Sequence, residues 1–252
     1  MLPSIIPPLA AHVHTLLSLA FLDMQKLVRF AAAASSLPYD FFIKTTGRGD
    51  LYETALKQLP FVVGSPRLFV RTLLLNCLTS HYADLWGKLW QPGYTEIGWS
   101  KFDKRLQAAR FSTLTSEWGW MTPVRTEYER RQALVEIDVL VAQDLGLSVE
   151  DLCTIYRIQF PVLQQNERDT WYDQRGQIVF TCSKGLPGVG FSRPEWEKVK
   201  EMTSGAAKRV VKDNTMPIGP REKIIEYIAP FDRCDREQDY ATAWKFFDEA
   251  GL

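Results

Sequence analysis

The stretch from Tyr128 to Phe180 constrains this chain more than any other. Leu134, Ile137, Val141 and Leu145 recur at steps of three and four, which places them on one stripe of a helix and demands a partner surface. Gly146 follows the last of them and can take the left-handed conformation that stops a helix. Ser148, with Asp151 three residues on, reads as the cap of a second helix, so two helices meet at Leu147. Pro161 disfavours helix at Phe160, and Asp173-Gln174-Arg175-Gly176 reads as a turn between short strands at Thr170–Tyr172 and Gln177–Cys182. The spacing predicts a core helical pair followed by a hairpin.

The remaining chain fits a mainly α fold with a small β component, an α+β protein with bundle-like helices and a short hairpin. Leu9–Ala34 reads as a mostly apolar helix, broken by His12 and His14 and wetter at Asp23, Lys26 and Arg29. So apolar a helix at the start predicts packing on upstream residues of a longer protein or on a partner. Ser36 can cap a short helix with Pro38 in its first turn, carrying Leu37, Phe41 and Phe42 inward. Leu59–Val63 is a candidate strand. Ser65 and Pro66 open a long helix whose stripe is Leu68, Leu75, Leu78, Tyr82, Leu85 and Leu89. Between Gln91 and Arg125 glycines and tryptophans loosen the pattern. Pro194–Lys212 reads as a helix with a basic patch, and Asp235–Phe247 as a tail helix with Tyr240, Trp244 and Phe247 on one face. Two regions are expected, residues 1–125 and 126–252.

Composition narrows the function classes. The 46% of hydrophobic residues is ample for a core, while 30 basic and 30 acidic residues cancel. A free-standing nucleic-acid binder usually carries an excess of Lys and Arg, so neutrality counts against an independent DNA-binding protein, and less against one part of a larger DNA enzyme whose other domain could carry the basic cleft. Cys77, Cys153, Cys182 and Cys234 form no Cys-x-x-Cys pair, which supports neither a zinc ribbon nor a redox motif and leaves reduced thiols. No basic region precedes the first apolar run, and Leu9–Leu22 falls short of the ~20 apolar residues that span a bilayer. A cytoplasmic protein away from the membrane is expected.

The order Glu129-Arg130-Arg131, then Ala133–Ala142, then Leu145–Leu152, then Phe160–Leu163, then Trp171–Phe180 resembles the C-terminal region of large adenine-specific DNA methyltransferases. These include the bifunctional restriction-modification enzymes and related phage-defence methylases. A second stretch, Ser35–Val63, is similar to that family in Ser36-Leu37, Tyr39-Asp40, Lys44, Gly47, Gly49 and Leu56–Val62. The resemblance implies that this second stretch lies in or beside target recognition, and that Asp235–Phe247 is close to the natural C-terminus. It also implies double-stranded DNA as a partner, together with a catalytic methyltransferase subunit or a missing N-terminal domain.

Chemistry then divides what is present from what is not. Methyl transfer to an adenine amine needs S-adenosylmethionine and an Asn/Asp-Pro-Pro-Tyr/Phe stretch. No such stretch occurs, and Asp213-Asn214-Thr215-Met216-Pro217 lacks both the paired prolines and the aromatic. Lys184–Gly190 is glycine-rich, but Pro187 and Ser192-Arg193-Pro194 fit a turn-rich connector better than a cofactor loop. No catalytic, cofactor or metal residue is therefore assigned, and S-adenosylmethionine belongs to the catalytic partner. For DNA, Lys44, Thr45 and Arg48 beside two glycines suit a phosphate, or equally a connector with solvated charges. Lys104 and Arg105, with Lys101, Arg110 and nearby tryptophans, suit a nucleic-acid backbone or the wet side of an amphipathic helix. The chain is thus expected to be the DNA-recognition and C-terminal portion of a methyltransferase, as a split subunit or truncated gene. The alternative is a helical interaction protein that never touches DNA.

Overall fold

The computed structural model describes residues 3–8, 10, 16–46, 53–182, 189–214 and 219–249. Its organising element is helix α6, Glu127–Asp144, capped by the Thr126 hydroxyl at the Glu129 N–H. The predicted stripe understates its burial. Leu134 and Leu145 are only half-buried, whereas Tyr128, Val135, Ile137, Val139, Leu140 and Val141 are enclosed, along with Glu129, Arg131, Gln132, Glu136 and Asp138. A helix buried on nearly every side cannot be amphipathic, and its polar residues must find partners inside.

The helices around it follow local signals. Gly146 adopts a φ of +70°, and the Ser148–Asp151 capping box starts α7, Val149–Gln159. Pro161 sits in the first turn of a further helix, α8, Pro161–Asp169, which the sequence reading missed. Gln164 closes the junction by donating to the Tyr156 and Arg157 carbonyls at 3.0 and 2.8 Å. Ser36 caps α2, Leu37–Thr45, as expected. The preceding helix, α1, is shorter than predicted and runs only over Met24–Ser35, because Asp23 accepts the Gln25 and Lys26 N–H groups and sets its start. Residues 16–22 are not helical and Leu16, Leu17, Leu19 and Leu22 are exposed, while Leu9 and residues 11–15 lie outside the described residues. After a short α3, Glu53–Leu56, the expected strand at Leu59–Val63 is not formed. Its alternation is real, with Val62 buried between exposed Phe61 and Val63, but side chains replace a neighbouring strand. The Tyr39 hydroxyl donates to the Pro60 carbonyl, and the Gly64 N–H to Asp144 at 2.7 Å.

The predicted long helix from Pro66 to Leu89 is two: α4, Pro66–Asn76, and α5, Ala83–Leu89. Tertiary donors take the carbonyls at the break. The Trp118 indole donates to Cys77 at 2.8 Å and Arg125 to Leu78 at 3.1 Å. Downstream, indole N–H groups anchor the irregular stretch in the same way, Trp86 to Thr115 at 2.9 Å and Trp99 to Gln107 at 3.3 Å.

The hairpin forms as predicted from β1, Trp171–Tyr172, and β2, Ile178–Phe180, paired antiparallel. The predicted helix Pro194–Lys212 divides. Its first half is α9, Arg193–Val199, and its second half enters β3, Ala206–Asp213, after Gly205 turns the chain at a φ of +87°. β3 pairs antiparallel with β4, Arg221–Ile228, in an eight-residue register from Ala206↔Ile228 to Asp213↔Arg221, a ribbon the sequence reading missed. The tail helix, α10, Arg236–Glu249, buries Tyr240, Ala243 and Phe247 against α6. The architecture is mainly α with two small antiparallel two-stranded sheets.

Two cores result. The larger runs from Ile5 to Phe247 and continues across the expected boundary between residues 125 and 126. The smaller gathers Val179, Phe180, Phe191, Trp196, Ala207, Tyr227, Ala229 and Phe231 beneath the base of the ribbon.

Candidate nucleic-acid interface

The stretch that carries the family resemblance folds as a continuous frame. Asp173, fully buried in the β1–β2 turn, accepts the Arg175 and Gln177 N–H groups at 2.9 Å each and the Ile228 N–H at 3.0 Å. One carboxylate thus closes its own turn and fixes the end of β4. Gly176 is required at the tip. It holds a φ of +81°, a Cβ there would meet that of Tyr128 at 2.9 Å, and its carbonyl accepts the Tyr128 N–H at 3.0 Å. Tyr172 exchanges both backbone hydrogen bonds with Asp232, at 2.8 and 2.9 Å. The Trp-Tyr-Asp-Gln-Arg-Gly run is therefore a joint between α6, β4 and the segment leading to α10.

The buried charges of α6 are matched internally. Arg131 donates to Asp239 at 2.5 Å and to Glu167 at 3.1 Å, and Arg236 donates to Glu167 at 2.9 Å and Asp138 at 2.8 Å. The Tyr240 hydroxyl donates to Asp138 at 2.6 Å, and the Leu37 N–H to its other oxygen at 2.8 Å. Burial pushes the Asp138 carboxyl up, with Arg236, Tyr240 and Leu37 acting against it. Burial also raises Glu167, but Arg236 and Arg131 outweigh it and hold that carboxyl below its ordinary value. A second knot joins Glu136 to Arg71, to the Ser100 N–H at 2.7 Å and to Gln132 at 3.1 Å. These groups face one another across helix contacts and not into a cleft, so they tie elements together and offer no reacting atom an approach.

Other chemistry is restricted. Burial raises Cys77 to about 12 and also raises Cys153 and Cys234, which keeps these thiols protonated and poorly nucleophilic at neutral pH. Among the described residues, no group of three His, Cys, Asp or Glu side chains is placed to hold a metal ion, and no helix is long and apolar enough to cross a membrane. A shallow groove of about 390 Å³ lies between the β1–β2 turn and β4, lined by Glu127, Arg175, Gln177, Gly190, Lys223 and Tyr227. Its charges have both signs and Arg175 is already 3.4 Å from Glu226.

The candidate DNA residues do not converge. Lys44 and Thr45 end α2 and are exposed, but the Lys44 ammonium is 3.5 Å from Asp40 and 4.0 Å above the Phe160 ring, while Thr45 donates to the Phe42 carbonyl at 2.8 Å. Arg48, with Gly47 and Gly49, lies outside the described residues. Arg105 is turned inward. It stacks 4.0 Å above Tyr128 and grips Asp103 with two hydrogen bonds of 2.9 and 2.7 Å. Lys101 and Arg110 are likewise held, by Asp239 at 2.6 Å and Glu129 at 3.0 Å. Lys104 alone of this group is exposed without an ion pair among the described residues.

The sequence reading missed a different concentration of exposed charge, on β3 and β4. Ala207 and Tyr227 are buried at the ribbon's base, whereas Lys208, Val210, Lys212, Arg221, Glu222, Lys223 and Ile224 are exposed toward its far end. The signal available was the β-branched and aromatic content of two short runs, Val210-Val211 and Ile224-Ile225 with Tyr227 and Ile228, separated by Pro217, Gly219 and Pro220 in the sequence. Comparison of the chain with protein-family models, with curated proteins and with solved structures found no match.

Proposed function

We propose that this chain is the DNA-recognition and C-terminal portion of an adenine-specific DNA methyltransferase of a restriction-modification or phage-defence system, a split subunit or truncated gene that positions a separate catalytic part on double-stranded DNA. One observation carries the reading. The residues that resemble the family, from Glu129 to Phe180, are those that join α6, α7, α8 and the hairpin, and among them Asp173 closes the turn with its carboxylate while Gly176 is required by its φ and its approach to Tyr128. A run of residues with such defined structural duties is a stronger basis for kinship than composition alone. S-adenosylmethionine and the catalytic proline pair then belong to the partner.

The purified chain is expected to bind duplex DNA and to transfer no methyl group to it from labelled S-adenosylmethionine. Methylated adenine formed by this chain alone would overturn the division of labour. A second reading, a helical interaction protein without DNA contact, is favoured by the exposed Leu16, Leu17, Leu19 and Leu22 before α1, which offer an apolar surface to another protein. Absence of duplex binding at low salt would decide for that reading.

A further inference from the structure

We propose that the β3–β4 ribbon is the element that enters the DNA, lying in the major groove with its outer face toward the base edges; this rests on the DNA-recognition reading above. The charge distribution makes the first argument. From Ala206 to Ile228 the ribbon holds five basic residues, Lys208, Arg209, Lys212, Arg221 and Lys223, against three acidic ones, Asp213, Glu222 and Glu226, an excess of two in a chain whose total is zero. Lys208 stands 3.7 Å from Glu226 and Arg209 3.5 Å from Glu195, but Lys212 and Lys223 make no ion pair among the described residues. A polyanion is the partner that such a local excess attracts from an otherwise neutral molecule.

Shape supplies the second argument. Eight paired residues extend roughly 25 Å, with strands about 4.8 Å apart. A two-stranded ribbon of this width fits the major groove, which is about 12 Å wide. Directly paired residues share a face, so Lys208↔Glu226, Val210↔Ile224 and Lys212↔Glu222 form one side. On that side Val210 is 59% and Ile224 66% exposed, an apolar pair bracketed by charges. Apolar side chains can meet thymine methyl groups and a carboxylate can accept from a cytosine amine, while the lysines reach phosphates or guanine. The opposite side carries Lys223 at its exposed far end, within reach of a flanking phosphate, and is anchored at its base, with the Tyr227 ring tilted against Phe191 at 5.1 Å and its hydroxyl accepting the Gly190 N–H at 3.2 Å. A strand from another protein is the less favoured occupant, since lysines along an open edge discourage strand addition.

The test uses the full chain and a labelled 30-base-pair duplex, titrated by fluorescence anisotropy from low to moderate potassium chloride. Lys208→Ala/Lys212→Ala/Lys223→Ala should weaken binding by about tenfold or more and lower the slope of log affinity against log salt by roughly two to three. The matching triple Lys→Arg variant should retain both. The wild type should shield guanine N7 from dimethyl sulfate and bind a thymine duplex more tightly than its uracil counterpart, and Val210→Ser/Ile224→Ser should keep the shielding and the salt slope but lose the thymine preference. All three variants change exposed side chains, and their circular dichroism and unfolding midpoints should match the wild type. If the wild type binds but the Ala triple binds equally well, DNA is held elsewhere and the ribbon proposal falls while the DNA reading stands. A wild type that does not bind overturns both. An Ala triple that binds normally but sediments as a smaller species would make the ribbon a protein contact and overturn the proposal.

Discussion

The two cores treat charge in opposite ways. In the larger, α6 carries Glu129, Arg131, Glu136 and Asp138 into the interior, where each meets a partner on another element. The smaller is held by aromatic stacking. Trp196 lies parallel to Phe180 at 5.3 Å and is tilted against Trp171 and Phe231, while Lys208, Lys212, Arg221 and Lys223 of β3 and β4 stay exposed. Buried ion pairs contribute little net stability compared with apolar packing, because desolvation offsets their attraction, but they fix which surfaces meet. The larger core is thus a frame specified by pairing, and the smaller is a hydrophobic pedestal that leaves a ribbon exposed. The proposed DNA contact rests on that difference, since only exposed charges can reach a phosphate.

The largest effect should come from breaking a pair in the frame. Glu136→Ala removes the carboxylate that Arg71, Ser100 and Gln132 share, with Arg71 and Glu136 fully buried. An uncompensated buried guanidinium costs about 3–5 kcal/mol, and the loss should be global because α4, α6 and the Ser100 segment meet there. Urea unfolding that shows under 1 kcal/mol of change would mean that the frame does not depend on its pairs.

Trp196→Ala should cost a similar amount locally, about 3 kcal/mol for a buried indole, and yet spare the frame. Hydrogen exchange should speed up in β2, β3 and β4 while the amides of α6 keep their protection, because the two cores can open separately. Equal loss of protection in α6 would merge them into one cooperative unit.

Asp103→Asn probes the seam, since Arg105 reaches Asp103, Tyr128 of α6 and, at 3.8 Å, Asp232 on the side of the smaller core. Burial raises the Asp103 carboxyl, but hydrogen bonds from the Arg105 side chain and N–H and from the Tyr128 hydroxyl outweigh it and hold the group well below the ordinary 3.8. A folded-state pKa below the unfolded one gives stability that is full above the unfolded value and disappears as pH falls through the folded value. The wild type should therefore exceed the variant by about 1.5–3 kcal/mol at pH 5 and above. That margin should narrow as pH drops below 3.8. A gap independent of pH would assign the effect to packing.

How far the sequence foretold this depends on whether a signal was local. Caps and turns were legible: Ser36, Ser65 with Pro66, Ser148 with Asp151 and Gly176 each determine their own neighbourhood. The break at Cys77 was not, because the donors that end α4, Trp118 and Arg125, lie some 40 residues away in sequence. For the same reason the basic residues at 101–110 looked available. Their carboxylates sit on α6 and α10, or two residues off in the case of Arg105, and spacing does not reveal which ones turn inward. The ribbon failed differently. Lys208, Arg209 and Lys212 suit a helical period, while the matching strand begins only at Arg221 and supplies the pairing that decides the period.

The smallest effect should come from the exposed candidates outside both cores. Lys44 is 41% exposed and 3.5 Å from Asp40 one turn earlier in α2, a surface pair worth about 0.5 kcal/mol or less, and its ammonium over Phe160 adds a contact of similar size. Lys104 is exposed with no ion pair among the described residues, and its removal should leave stability unchanged. Lys44→Ala and Lys104→Ala should therefore shift the unfolding midpoint by no more than a degree or two. Each should lower the salt slope of duplex binding by about one only if that residue touches a phosphate in its own right. With the ribbon as the principal contact, the two slopes should stay close to that of the wild type while the ribbon variants fall. A full unit lost at Lys44 would instead extend the DNA footprint across α2 to the frame, and the contrast between an inward-charged frame and an outward-charged ribbon would then describe folding alone.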